Sequence, residues 1–338
     1  MTEIRNILLF GRTGQGKSSV SNVLTGTNEF KESSGSVSET KECKVREFKQ
    51  KIDGKEVTYR VIDTIGLGDS KLSEEDNLYE LAKVANEIKD GINQVFFVTN
   101  GRFAKEEVQA FNLLCRVFFD QEVLKYSSII RTNFPEFYDK EVCEEDIEAL
   151  SNEGQVGKAV VEKIGKDKIV HVDLPSLKGR SITIETNKNI REESREKLLE
   201  HLKDKEDSYN PSNLKMINTR IKSHIYTQKI EAKKKELAEL SQYLITVNDP
   251  TKKEQINKQI KELGKEVNKL IADEKVLLIR DMGKHIIETY YELGSQTPII
   301  PIVGSALGIG VGITIAGAAT GPIILSLLMG KIFGFSLK

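Results

Sequence analysis

Eight consecutive residues carry the densest chemistry in this chain: Gly11-Arg12-Thr13-Gly14-Gln15-Gly16-Lys17-Ser18. They read G-x-x-x-x-G-K-S. Glycines at such spacing let backbone N–H groups turn inward around a chain of phosphates. Lys17 would set a point charge on the β- and γ-phosphates, and the Ser18 hydroxyl would ligate Mg2+. Ser19 continues into a helix whose positive end faces the same phosphates. An apolar run at 4–10 leads into the motif and a helical pattern follows it. Strand, glycine-rich loop, helix is the context that separates a phosphate-binding loop from a chance turn. Binding of a nucleoside triphosphate is therefore expected, with Lys17 also contributing to catalysis.

A second constellation, Asp63-Thr64-Ile65-Gly66, closes the apolar run at 57–62. A P-loop protein needs an acid at the end of a neighbouring strand to hold the Mg2+ shell, and Asp63 fits that role. Gly66 can bring a backbone N–H close to the γ-phosphate. D-x-x-G alone is weak, but after a strand and some forty-odd residues past the lysine it favours a GTPase. Between the two motifs, residues 33–41 are polar and rich in Gly and Ser, as a mobile loop would be. Thr40 is assigned to the metal and the γ-phosphate, with Ser36 and Ser38 as alternatives.

These motifs need a frame. Apolar runs at 4–10, 44–50, 57–62, 94–99, 127–131 and 168–172 read as strands. Helical patterns at 77–89, 105–118, 154–164 and 191–202 alternate with them. The expected fold class is α/β: a mostly parallel six-stranded sheet flanked by helices. The Asp53-Gly54 pair predicts a hairpin between the second and third strands. Residues 183–190 are polar and read as loop.

Beyond residue 205 the texture changes. Leu237, Leu240, Leu244 and Val247, then Ile256, Ile260, Leu263, Val267 and Leu270, recur at spacings of three and four. Asn248-Asp249-Pro250 interrupts them, and Thr251 to Glu254 can form a capping box. An antiparallel helical hairpin with a coiled-coil seam is expected over 206–293. From Leu293 to Gly330 no residue is charged. Residues 294–332 read as a transmembrane segment, either a tilted single span or a re-entrant hairpin. Gly304, Gly308, Gly312 and Ala316 would give one helix face a smooth stripe for close packing in lipid. The expected domains are thus 1–205, 206–293 and 294–332.

Composition narrows the partners. A formal net charge of -1 gives no global pull toward nucleic acid. Cys43, Cys115 and Cys143 match no zinc or redox spacing and suit a reducing compartment. With the first strand beginning by about Ile4, no signal peptide is expected. His171 reads as packed in its strand. His285 and Lys233 to Lys235 read as solvated helix faces.

The strings GRTGQGKSSVSNVLTG, SVSETKE and DTIGLGD resemble the immunity-associated GTPases, the GIMAP or avirulence-induced-gene (AIG) type. These are relatives of septins and of the chloroplast-import receptors. Asn100 to Glu107 looks like that family's extra box, G-R-[FY]-T-x-E-[ED], with Ala104 in place of the usual threonine. The resemblance covers about residues 4–202. It implies GTP/GDP with Mg2+, and a G domain that forms a homodimer or homo-oligomer across the nucleotide face. A charged helical extension, with in some members a lipid-bilayer anchor, is also typical. Guanine is read in such proteins by N-K-x-D, or T-[RK]-x-[DE] in this family, after the fifth strand. Here the segment is Arg131-Thr132-Asn133-Phe134-Pro135-Glu136. With Thr132 in register, Pro135 stands where the acid should be. With Asn133 in register, Glu136 takes the aspartate's place. Without either acid, guanine preference would rest on backbone near residues 172–176. Leu67 stands where many GTPases have a water-positioning glutamine, so hydrolysis is expected to be slow. Arg102 is then expected to act in trans on a partner's phosphates.

The functional expectation is a membrane-anchored, guanine-nucleotide-binding switch or scaffold with its G domain facing the cytosol. It would pair in the GTP state and hydrolyse slowly, with stimulation by assembly. The alternatives are a nucleotide-dependent scaffold with negligible turnover, a membrane-remodelling protein, and, weakest, an ATP-using P-loop protein.

Overall fold

The computed structural model describes residues 3–32, 43–67, 74–101, 105–152, 154–210, 216–292, 299–301 and 313–315. Thr40, its alternatives Ser36 and Ser38, and Arg102 lie outside them. The chain divides into two compact units, Met1–Leu214 and Lys215–Lys338.

In the first unit, apolar runs make strands and the runs between them make covering helices. In chain order these are β1 (Glu3–Phe10), α1 (Lys17–Thr25), β2 (Lys44–Ile52), β3 (Lys55–Asp63), α2 (Glu74–Ala82), α3 (Val84–Glu87), β4 (Gln94–Thr99) and α4 (Lys105–Leu113). Then come β5 (Ser127–Arg131), α5 (Lys140–Asn152), α6 (Gly154–Ile164), β6 (Ile169–His171) and α7 (Ser181–Leu202). The sheet order is β2-β3-β1-β4-β5-β6. Only β2 runs antiparallel to its neighbour. Asp53 and Gly54, both at positive φ (47° and 82°), make the tight turn between β2 and β3.

Chain connections leave β1 toward β3 on one side and toward β4 on the other. The crevice beyond the carboxyl end of β1 is therefore a topological switch point, where open α/β sheets bind ligands. On one face Ile7, Leu9, Val61 and Phe96 pack with Val20 and Leu24 of α1 and Leu198 of α7. On the other, Phe97 meets Phe111 and Phe10 meets Phe118, each edge to face.

Two elements depart from expectation. Residues 183–190, read as loop, form the first half of α7. They are exposed or half-buried, so no apolar stripe marks them. Helix α5 carried no periodic signal either, since Cys143 and Leu150 are its only buried residues. Its start is fixed by Asp139, whose carboxylate accepts from the Glu141 N–H at 3.0 Å and the Val142 N–H at 3.3 Å.

The unit closes on its first strand. Arg5 is 1% exposed, donates to the Lys203 carbonyl at 2.8 Å and pairs with Glu206 at 3.3 Å. Tyr59 donates to the Leu202 carbonyl at 3.2 Å. Ile92 and Tyr209 exchange backbone bonds of 2.8 and 2.7 Å, which carries the unit past residue 205. Beneath the sheet, His201 Nε2 meets the buried Ser128 hydroxyl at 2.8 Å. Burial pushes this imidazole down to about 4.

The second unit contains α8 (Ile217–Thr246) and α9 (Pro250–Glu292). Cross-pairs Thr219–Asp281 and Ser223–Glu274, at 2.9 and 2.7 Å, show them antiparallel. Ile221, Ile225, Ile230, Ile256, Leu263 and Val267 are buried on these helices. Asp249, not a Thr251–Glu254 box, caps α9: its carboxylate accepts the Thr251 N–H at 2.8 Å, with Pro250 as first helical residue. Most of 294–332 lies outside the described residues. Within it, β7 (Ile299–Pro301) and β8 (Ile313–Ile315) are extended and pair antiparallel. No helix among the described residues is long and apolar enough to cross a membrane.

Candidate functional site

The glycine-rich loop leaves β1 and turns into α1 through Gly14 (φ 81°) and Gly16 (φ 94°). Gly16 is the N-cap and offers no side chain. The first turn of α1 thus begins at the glycine loop with no capping side chain over it, and a helix N-terminus of this kind suits an anion. Lys17 is 6% exposed and donates from Nζ to the Arg12 carbonyl at 2.9 Å, folding back over the loop. Ser19 is half-buried in the first turn of α1.

The end of β3 zips onto this loop. Thr13 N–H donates to the Leu67 carbonyl at 3.0 Å and Leu67 N–H to the Gly11 carbonyl at 3.2 Å. Gly66 is required here: a Cβ would lie 2.4 to 2.5 Å from Thr13 Oγ1, Cα and N. Leu67 is buried at 7% exposure and apolar, so it orients no water.

Asp63 is 1% exposed and accepts from Ser18 Oγ at 2.8 Å through Oδ2. Its other oxygen, Oδ1, is buried without a hydrogen-bond partner. Burial pushes the carboxyl up to about 6 against the opposing pull of Lys17 and the Ser18 hydrogen bond. An orphaned acidic oxygen beside a serine hydroxyl is a hard-oxygen donor set, and it fits a Mg2+-sized cation.

On the far side, Thr132 turns its Oγ1 onto the Gln15 carbonyl at 2.8 Å. Asn133 sits at φ 54° and is exposed, as is Glu136. Thr132 is therefore the one of the two that meets the loop, while Asn133 and Glu136 face outward. Asn100, which opens the Asn100–Glu107 box, donates its N–H to Gln15 Oε1 at 2.7 Å. Arg12 pairs with the buried Glu107 of α4 at 2.8 Å. Gly11 through Ser19, Asp63, Gly66 and Thr132 thus share one crevice.

The sequence reading missed a buried cluster behind that crevice. Asp146 of α5 accepts from Arg131 at 3.0 and 2.8 Å and meets His171 Nε2 at 2.8 Å. Arg131 also donates to the Gly101 carbonyl. One carboxylate thereby staples the carboxyl ends of β4, β5 and β6. Despite its burial, the hydrogen bonds from His171 and Arg131 hold Asp146 down at about 2. Phe134 packs on the His171 ring at 4.6 Å, which carries the staple into the 132–136 loop. An arginine at the end of β5 and an Asp within α5 were the only signals, and neither forms a motif.

The AIG1 family profile matches residues 5–236. Immune-associated nucleotide-binding protein 10 of Arabidopsis thaliana is 36% identical over 132 residues, covering 38% of this chain and 27% of that protein. Immune-associated nucleotide-binding protein 13 of the same plant is 30% identical over 131 residues, 38% of each. The matched stretch therefore spans well under half of either relative. Among solved structures, Toc33 from Arabidopsis thaliana in complex with GDP and Mg2+ aligns at 14% identity with a TM-score of 0.37, covering 57% of this chain and 86% of that one.

Proposed function

The chain belongs to the AIG1 family, and from that premise we propose that it is a GTP- and GDP-binding switch or scaffold that uses Mg2+. The observation that carries the reading is the Asp63–Ser18 pair beneath the glycine loop, with one buried carboxylate oxygen left over. Ser18 and Asp63 would hold Mg2+, together with Thr40. The bound ion would draw charge from the β- and γ-phosphates. The N–H groups of residues 14–19 would cradle the phosphates, and Lys17 would swing from the Arg12 carbonyl onto them. Thr132 holds the loop that faces the base. With Thr132 in register Pro135 takes the acid position, and guanine contact falls to backbone at 172–176.

Turnover is slow in this reading, because Leu67 is zipped to the loop and polarises nothing. Contact of Asn100 with Gln15 sets the first residue of the Asn100–Glu107 box beside the phosphate loop. That placement supports Arg102 as a residue delivered to the phosphates of a second copy. Pairing in the triphosphate state follows, with the 294–332 segment, uncharged as far as Gly330, holding the protein on a membrane and the nucleotide-binding unit in the cytosol. A scaffold with negligible turnover is the second reading, and the buried Leu67 favours it.

The test is an equilibrium titration of the 338-residue chain with fluorescent GTP and ATP analogues and Mg2+, beside Lys17→Ala. Tight GTP binding, weak ATP binding and loss in the variant are expected. Equal binding of both nucleotides would remove guanine selectivity. Absence of both would overturn the reading.

A further inference from the structure

Residues 28–32, between α1 and the 33–42 stretch, are sewn down by one side chain from each of two helices. Asn22 of α1 clasps Phe30 on both backbone groups: Nδ2 donates to its carbonyl at 2.8 Å, and Oδ1 accepts its N–H at 3.0 Å. The same Nδ2 donates to Glu32 Oε1 at 2.7 Å. From α7, Arg191 donates to Glu32 Oε2 at 2.5 Å.

Arg191 is only 7% exposed, and its fork has a second task. Nε donates to the Pro175 carbonyl at 2.9 Å. One turn on, Ser194 Oγ holds Asp173, donating to its carbonyl at 2.7 Å and accepting its N–H at 3.1 Å. One face of α7 therefore fixes the loop after β6, and through Arg191 joins it to Glu32. That loop also touches the one after β5, where Phe134 N–H donates to the Val172 carbonyl at 3.3 Å. Thr132 in turn locks the β5 loop to the phosphate loop at Gln15. In a parallel sheet a nucleoside extends from the phosphate loop across these strand ends.

We propose that Arg191 is a positioning residue that latches residues 28–32 to the 172–176 loop through Glu32 and Pro175, and so sets how slowly a bound nucleoside di- or triphosphate leaves. The inference rests on the nucleotide-binding reading above. A planar guanidinium can serve a carbonyl and a carboxylate at once, which a lysine ammonium on one flexible stem does poorly. Removing Glu32 leaves the buried Arg191 guanidinium with the Pro175 carbonyl alone, and removing Arg191 leaves Glu32 held only by Asn22 and cut from the 172–176 loop. The latch then opens without any change at Lys17, Ser18 or Asp63. Loss is expected in the dissociation rate far more than in association.

The experiment loads the full chain with fluorescent GDP and chases it with excess unlabelled GDP. Arg191→Ala should speed release about tenfold, with Glu32→Gln somewhat less. The double variant should be no faster than Arg191→Ala, and Arg191→Lys should fall between it and the unsubstituted chain. Arg195→Ala, which removes a guanidinium one turn along that pairs with Glu192 at 3.6 Å, should leave release unchanged. Release within about twofold of the unsubstituted chain in both Glu32→Gln and Arg191→Ala overturns the latch. So does a double variant in which the two effects multiply, or an equal acceleration in Arg195→Ala. No saturable binding by the unsubstituted chain would instead overturn the nucleotide reading, and the latch with it.

Discussion

The nucleotide-site unit and the helical pair place their charges in opposite ways. In the first, Arg5, Asp63, Arg131, His171 and Arg191 are all under a tenth exposed and partnered across the sequence. In the second, the cross-helix pairs Ser223–Glu274 and Lys233–Glu266 lie at the rim of an apolar stripe. A buried charge that loses its partner costs several kcal/mol, whereas a rim pair contributes little. The first unit is therefore specified by particular partners, and the second by a periodicity that many side chains could satisfy. Chemistry needs the former, because phosphate and metal must meet groups fixed in place.

Asp146→Ala should break the first unit hardest, by about 3 kcal/mol at neutral pH, since it strands Arg131 and His171 together. Hydrogen exchange read unit by unit should show the loss in the first unit alone. Because the native carboxyl titrates below its ordinary range, the stabilisation is present above pH 4 and fades as pH falls toward 2. The gap between variant and parent should narrow over that window.

Gly66→Ala comes next, at about 2 to 3 kcal/mol, because its methyl would collide with Thr13 backbone atoms as well as with Thr13 Oγ1. Nucleotide titration should weaken with it, which an equal loss elsewhere in the unit would not cause.

His201 sharpens the comparison through pH. Its native form resists protonation, so the unfolded chain gains protons first. Stability from this site is present above about 6.5 and lost as pH falls toward 4. His201→Gln, which keeps a partner for Ser128, should flatten that part of an acid-denaturation curve by on the order of 2 kcal/mol.

In the helical pair, Leu263→Ala should cost about 1 to 2 kcal/mol, as a two-helix seam encloses a side chain incompletely. Lys233→Ala should leave exchange in that unit unchanged. A large effect of Lys233→Ala would mean that the second unit, too, depends on specific partners.

Much of the frame was legible because the sheet is buried on both faces. Continuous apolar runs at β1, β4 and β5 leave little to misread. The phosphate loop, Asp63 and Gly66 were legible as motifs because each residue type has one job at one spacing. Residues 181–190 were not, since Thr183, Thr186 and Asn187 have modest helix propensity and Ile182 is exposed. The Asp146 staple was invisible for a different reason. Its members stand far apart in sequence, and only the packing of α5 on the ends of β5 and β6 brings them together. Thr132 and Asn133 remained equivalent until the backbone turned one onto Gln15 and the other outward.

Arg5 ties the order of synthesis to the order of folding. A residue of the first strand is enclosed by carbonyls and a carboxylate from residues 202, 203 and 206. A nascent chain that has not yet exposed those positions carries a guanidinium with only Glu3 and Tyr59 to meet once the central strand is covered. The unit can therefore complete itself only after its last helix has left the ribosome, and a truncation short of residue 206 should yield a chaperone client, not a smaller stable domain.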